Sequence, residues 1–220
     1  MLRKTSLVVA ALALLVLVPQ AQAAKGDFMV GLNAGTGIPI SDYKDAAKLG
    51  FMGGVSFGYA ATENMSIGVD GSFTANDGSD DLNSLLTAVA TDLGPDGEPG
   101  TSDDGSTTIP VTGKFNLLQG GAHAKYMFPM AEESKVSPYV VVGLGVYNVK
   151  AKTESSVSLY TGDASENKFG GRGGLGLGYK ASENVTVGVE GAFHYVNTEV
   201  TSTQFIGLQA GVSIGLSKAQ

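Results

Sequence analysis

Apolar residues recur at every second position through most of the chain, with polar or small residues between them. That period belongs to β-strands with two unlike faces. Eight stretches carry it, at roughly 27–39, 51–60, 65–75, 114–128, 138–151, 168–180, 185–197 and 204–217. Each meets or exceeds the ~9–11 residues that a tilted strand needs to cross a bilayer. The connections alternate in character. AATEN, PMAEESKVS and ASEN, after the second, fourth and sixth strands, are compact, whereas the others are mostly longer and more polar. The longest spans about 76–113.

Sorting side chains by face sharpens the prediction. In the third strand Met65, Ile67, Val69 and Phe73 oppose Ser66, Gly68, Asp70, Ser72 and Thr74. In the seventh, Val185, Val187, Val189, Phe193 and Tyr195 oppose Thr186, Gly188, Glu190, Ala192 and His194. The sixth and eighth divide in the same way, with Arg172 and Gln209 among glycines. A face of Gly, Ser, Thr and isolated charges cannot form the core of a soluble barrel, and the apolar face would be a large exposed patch in water. Turning the apolar face to lipid resolves both conflicts. The pattern therefore predicts an all-β fold, an eight-stranded antiparallel up-and-down transmembrane β-barrel with short periplasmic turns and longer extracellular loops.

The N-terminus fits an exported chain. Arg3 and Lys4 precede an apolar run from Leu7 to Val18 and small residues at Ala21 and Ala23, the layout of a cleaved signal peptide. We expect a leader over 1–23 and a barrel domain over 24–220. Without the leader, 12 Lys and Arg stand against 21 Asp and Glu, a formal charge of −9. So acidic a chain has no electrostatic support for binding nucleic acid. The absence of cysteine excludes disulfides and thiolate chemistry.

On a membrane barrel the polar face points into the lumen. Asp70, Lys125, Arg172 and Glu190, with His123 and His194, are then expected to form an interior network of carboxylates against cations. Eight strands enclose a space only wide enough for side chains, so the network is expected to plug the barrel.

Several segments carry a resemblance. SPYVVVGLGVYN (137–148) resembles a Pro-Tyr strand opening a period-two Gly run. GYAATENMSIGVDGSF and GYKASENVTVGVEGAF each resemble a Gly-Tyr strand, a short periplasmic turn and a returning strand. Together they make the mature chain similar to the small OmpA/OmpX-like outer-membrane barrels. The resemblance implies residence in the outer membrane of a Gram-negative-type envelope, among its lipids. It also implies that the last strand, Gln209 to Leu216, is read by the outer-membrane assembly machinery. The chain departs from the family in ending with SKAQ instead of an aromatic residue, and in having no peptidoglycan-binding domain after the barrel.

Other motifs have simpler readings. GRGGLG (171–176) matches a dinucleotide pattern but lies inside a strand and opens no helix. SDDLNSLLTAVATDL (79–93) spaces Leu82, Leu85, Leu86 and Val89 for a short amphipathic helix, expected to pack over the barrel mouth. Downstream, Asp92, Asp96, Glu98, Asp103 and Asp104 offer hard oxygen ligands of the calcium type. Gly94 stands where a ligand should, and no helix follows, so a solvated acidic loop is the first reading and calcium the second. His123 and His194 assemble no Ser/His/acid set from spacing, and no enzyme is expected. The chain is expected to be a monomeric, plugged barrel with a structural or interaction role, meeting ligands or surfaces through 41–50, 76–113 and 152–167. A narrow channel for small solutes or apolar molecules is the alternative, and a lipid-modifying enzyme the third reading.

Overall fold

The computed structural model describes residues 25–89, 109–131, 134–156, 159, 161–182, 184–198 and 202–216. The leader expected over 1–23 lies outside them. The strands are β1 (Phe28–Ile40), β2 (Gly50–Ala60), β3 (Met65–Asp77), β4 (Val111–Met127), β5 (Val136–Ser155), β6 (Gly162–Lys180), β7 (Val185–Val196) and β8 (Thr203–Leu216). Each pairs with its sequence neighbour, and β1 pairs antiparallel with β8 to close the barrel. Hydrocarbon offers no water to an unpaired backbone N–H or C=O, so closure is what allows strands to span it.

The pairing register fixes the barrel's shape. Stepping across paired residues from Phe28 leads through Tyr59, Ile67, Ala124, Val142, Gly173, Phe193 and Ile206. The path returns to β1 at Ile38, ten residues beyond its start. That stagger on eight strands tilts them about 40° to the barrel axis and leaves an interior that side chains can fill. Every residue on the path faces outward, the direction read from the alternation. Leu144 and Leu175 project into the surroundings, 77% and 67% exposed. Toward the periplasmic end Phe28 stacks on Phe57 at 5.4 Å and Tyr126 meets Phe128 edge-on at 5.5 Å. Phe51, Phe73, Phe169 and Phe193 are exposed toward the other end. Two aromatic girdles flanking an apolar band mark the two membrane interfaces.

The extracellular ends differ from the sequence expectation. The loop expected over 152–167 is largely strand, since the register continues through Lys152↔Asp163 to Thr153↔Gly162. Outside the bilayer a ladder needs no apolar face. Here the ion pairs Lys150–Asp163 at 2.8 Å and Lys114–Glu154 at 2.6 Å cross between strands instead. Within 76–113, β3 runs on to Asp77 and β4 begins at Val111, with helix α2 (Asp80–Val89) between them. Ser79 Oγ caps α2 by accepting from the Leu82 N–H at 3.0 Å. Leu82 and Leu86 are partly buried while Leu85 is exposed. The acidic stretch holding Asp92, Asp96, Glu98, Asp103 and Asp104 lies outside the described residues.

The glycines serve the narrow radius. A Cβ on Gly35 would run into the Leu208 carbonyl oxygen and approach Gln209 Cα to 2.7 Å across the β1–β8 seam. Gly120 faces outward with nothing within 4 Å of such a carbon. Gly35→Ala is therefore expected to destabilise the refolded barrel by about 1–3 kcal/mol, read from its urea midpoint in detergent. Gly120→Ala is expected to leave the midpoint where it was.

Candidate functional site

The lumen is the one place where the described residues bring ionisable groups together inside the barrel, and it is organised in layers. In the middle, Asp70 from β3 accepts at Oδ1 from His123 Nδ1 of β4 at 2.9 Å and from Arg172 Nη2 of β6 at 3.2 Å. Arg172 Nη1 reaches Glu190 of β7 at 3.8 Å. Tyr139 of β5 donates its hydroxyl to Glu190 Oε2 at 3.1 Å, and Lys125 Nζ sits 4.2 Å from the centre of the Tyr139 ring. Two carboxylates thus stand among two basic side chains, Arg172 and Lys125. Mutual neutralisation of this kind is what makes charge bearable in so dry a place. Ser72 and Gln119 extend the layer with a hydrogen bond of 2.9 Å.

Register explains how such large groups fit. Asp70 is paired with Gly121, His123 with Gly68 and Gly143, Arg172 with Gly143, and Glu190 with Gly176. Each of these four side chains lies beside a glycine on at least one neighbouring strand, whereas Lys125 stands between Ser66 and Val141. A Cβ on Gly143 would come within 3.2 Å of Arg172 Nε, and one on Gly170 within 2.7 Å of the Tyr147 ring. Glycine here makes room for its neighbours rather than supplying a turn.

Below this layer, toward the periplasm, Asn33, Ser56, Thr186 and Ser213 line a cavity of about 110 Å³ that reaches Lys125 and Glu190. A smaller one, about 60 Å³, borders Asp70, His123 and Arg172. Asp70 Oδ2 and Arg172 Nε have no hydrogen-bond partner among the described residues, and a cavity of this size has room for bridging water.

Above it the lumen turns apolar, and here the sequence reading needs correction. The inward face is not confined to Gly, Ser, Thr and charges, because Met52, Leu117, Tyr147, Val196 and Phe205 pack into one buried cluster. Val141, paired with Lys125 at the level of the charged layer, is a further inward apolar residue. VVVGLGVYNV in β5 is apolar on both faces and Leu117 and Leu118 are adjacent in β4, so alternation alone does not mark the whole cluster. His194 belongs to this layer and not to the charged one. Its ring stacks on Phe205 with centroids 4.3 Å apart, and Nδ1 lies 3.1 Å from the Tyr147 hydroxyl. No serine or carboxylate touches it among the hydrogen bonds of the described residues.

A lid completes the cluster. Helix α1 (Tyr43–Ala46) in the first extracellular loop sends Tyr43 into it, edge-on to Phe115 at 5.9 Å, and Ala47 follows. Asn76 on β3 pins the lid, accepting from the Tyr43 hydroxyl at 3.3 Å and donating to the Lys48 carbonyl at 2.7 Å. Backbone bonds from Lys48 to Asp77 and from Ser79 to Ala46, with the Lys48–Asp80 ion pair at 2.6 Å, tie the loop to the start of α2. Among the described residues no three His, Cys, Asp or Glu side chains gather as a metal site.

Two expectations follow. Asp70→Asn leaves Arg172 short of its nearest countercharge, and should cost about 3 kcal/mol or more in urea unfolding of the refolded barrel. Adding Arg172→Gln should recover part of that loss. Burial pushes the Tyr43 phenol well above its ordinary value, so the folded lid holds its proton more tightly than the unfolded chain does. Its contribution is whole below the ordinary tyrosine range of about 10 and is lost as pH rises beyond it. Tyrosinate absorbance and proteolysis of the loop, followed together in alkali, should report ionisation of Tyr43 only as the lid comes away.

Comparison with known proteins agrees with this architecture. The family model described as outer membrane protein beta-barrel domain matches residues 7–215. No curated protein matches the chain. Among solved structures, Neisserial surface protein A (NspA) is similar at 20% identity and a TM-score of 0.53, covering 85% of this chain and 96% of its own. The outer membrane protein OprG from Pseudomonas aeruginosa is similar at 16% identity and a TM-score of 0.51, covering 90% and 99%. At such identities the likeness speaks to the fold alone. With a closed eight-stranded barrel, a lipid-facing apolar band and a family match over nearly its whole length, the chain belongs to the outer membrane protein β-barrel family and resides in the outer membrane.

Proposed function

We propose that the protein is a sealed barrel that works from its extracellular surface, as a rigid mount for interacting loops and strands. The observation that carries this reading is the apolar cluster under Tyr43, which closes the mouth above a charge-paired middle layer. A solute entering from outside would have to displace first a packed aromatic lid and then the Asp70–Arg172–Glu190 pairs. Water-filled passage needs neither feature. The surface offered instead is built from β5 and β6, 20 and 19 residues long, which extend well past the ~9–11 needed to span. Their outer parts, with α1 and α2, form the face available to a ligand, a lipid headgroup or another surface.

Further parts of the reading rest on sequence. Residues 1–23 act as a cleaved leader, and 24–220 form one barrel domain. The last strand, ending Gly211-Val212-Ser213-Ile214-Gly215-Leu216, presents the assembly signal, and the barrel works as a monomer without catalytic activity. Calcium at Asp92, Asp96, Glu98, Asp103 and Asp104 is a secondary proposal, tested by calcium-dependent protection of this segment from protease. The channel alternative draws on the two small cavities beneath the lid.

Planar-bilayer recording of the refolded barrel separates the two. The sealed reading expects no discrete steps from the wild type, and none from Tyr43→Ala alone, because the Arg172 layer still blocks the path. Only removal from both layers, Tyr43→Ala and Phe205→Ala combined with Arg172→Ala, should open a conducting route. Reproducible steps in the wild type that change in Asp70→Asn would replace the sealed barrel with a channel whose interior charges filter ions.

A further inference from the structure

One buried polar atom is left without a task by the sealing role. His194 is fully buried, and its Nε2 has no hydrogen-bond partner among the described residues. An unpaired polar atom in a dry interior is costly. Beside it lies the equally buried Met52. A side chain carbon on Gly207 would stand 3.1 Å from Met52 Sδ, 3.3 Å from His194 Nε2 and 3.5 Å from Gln209 Nε2. The thioether and the imidazole nitrogen therefore converge on the space that Gly207 leaves open. Met52 reaches it from β2 because β1 presents Gly35 and Gly37 in between, paired with Met52 and Gly207 respectively.

The geometry points to a binding site for a soft monovalent metal ion of the Cu(I) class, held by His194 Nε2 and Met52 Sδ. A thioether is a soft ligand that favours Cu(I) over hard cations, and imidazole suits copper. The remaining ring nitrogen has the arrangement a ligating histidine requires. Nδ1 lies 3.1 Å from the Tyr147 hydroxyl. If Nδ1 carries the ring proton and donates it there, Nε2 presents its lone pair, and the outer partner holds the ring in place. Phe205, stacked on the ring at 4.3 Å, holds the opposite face. Ions of this class accept as few as two ligands, so His194 Nε2 and Met52 Sδ suffice; the nearby Gln209 amide nitrogen is a hydrogen-bond donor and not a ligand. A water molecule donating to His194 Nε2 and accepting from Gln209 Nε2 is the competing occupant, and it would leave the Met52 methyl resonance unmoved by Ag(I). The site lies between the Tyr43 lid and the charged layer, so an ion enters when the lid lifts. This inference is independent of whether the loops bind a partner.

The test uses the full barrel refolded in detergent and Ag(I), a redox-inert stand-in for Cu(I). Methionine methyl NMR should show the Met52 resonance shifting first and saturating at a single ion per chain, with that ion retained in native mass spectrometry. Met52→Leu keeps the packing volume and should abolish the single-ion step while heat-dependent gel mobility stays normal. Tyr147→Phe should weaken binding by roughly tenfold. The assignment is overturned if Met29, Met65, Met127 or Met130 responds before Met52, if no ion is retained, or if Met52→Leu binds as tightly as the wild type. Should Met52→Leu fail to fold, the order of methyl shifts in the wild type decides the matter alone.

Discussion

Hydrocarbon has no water to offer a peptide group, and everything else in this molecule follows from that constraint. A strand can lie in a bilayer only if both its edges are paired, and β1 meeting β8 is the means. Closure at eight strands with a ten-residue stagger sets the radius, and the radius sets the interior. There is space for one layer of side chains across the lumen and little more. Large inward groups must therefore alternate around the wall with positions that carry none. Glycine content, the lie of Tyr139 against Gly176 and of Tyr147 against Gly170, and the crossing of Arg172 over Gly143 are consequences of the same geometry.

Within so narrow a space, two kinds of interior packing are stacked. The middle layer matches opposite charges, which is tolerable in low dielectric only when both partners are present. The upper layer uses aromatic and aliphatic packing, which has no such condition but needs a cap against water. Tyr43 provides that cap from a loop, and Asn76 couples the loop to a membrane strand through the Tyr43 hydroxyl and the Lys48 carbonyl. Extracellular surface and lumen are consequently one mechanical unit at this point.

Much of this was legible in the sequence, and the limits are physical. Period-two alternation marked eight strands to within a few residues across the apolar band, because there one face meets lipid and the other does not. Outside the bilayer that contrast vanishes. The ladder between Lys152 and Asp163 looked like a loop because ion pairs, not apolar alternation, support it. Alternation also gives faces without heights. It placed Asp70, Lys125, Arg172, Glu190, His123 and His194 on inward faces, but only register could show that His194 stands among Phe205, Tyr147 and Met52. Residues such as Leu117 and Val141, inward yet apolar, were invisible to a rule that reads apolar as outward. The Lys48–Asp80 pair and the Asn76 pin join residues about thirty positions apart, a distance that no local pattern reports.

The charged layer has an uneven origin around the wall. Its ionisable groups come from β3, β4, β6 and β7, with the Tyr139 hydroxyl from β5. The inward positions of β1, β2 and β8 hold only Met, Phe, Pro, Ala and small or neutral polar residues such as Asn33, Ser56 and Gln209. A curled sheet of five consecutive strands can therefore satisfy its own charges before the cylinder is complete. Parting the first strand from the last would separate no cation from its anion. The interior charge balance is thus local to β3–β7 and does not rest on the seam that completes the cylinder.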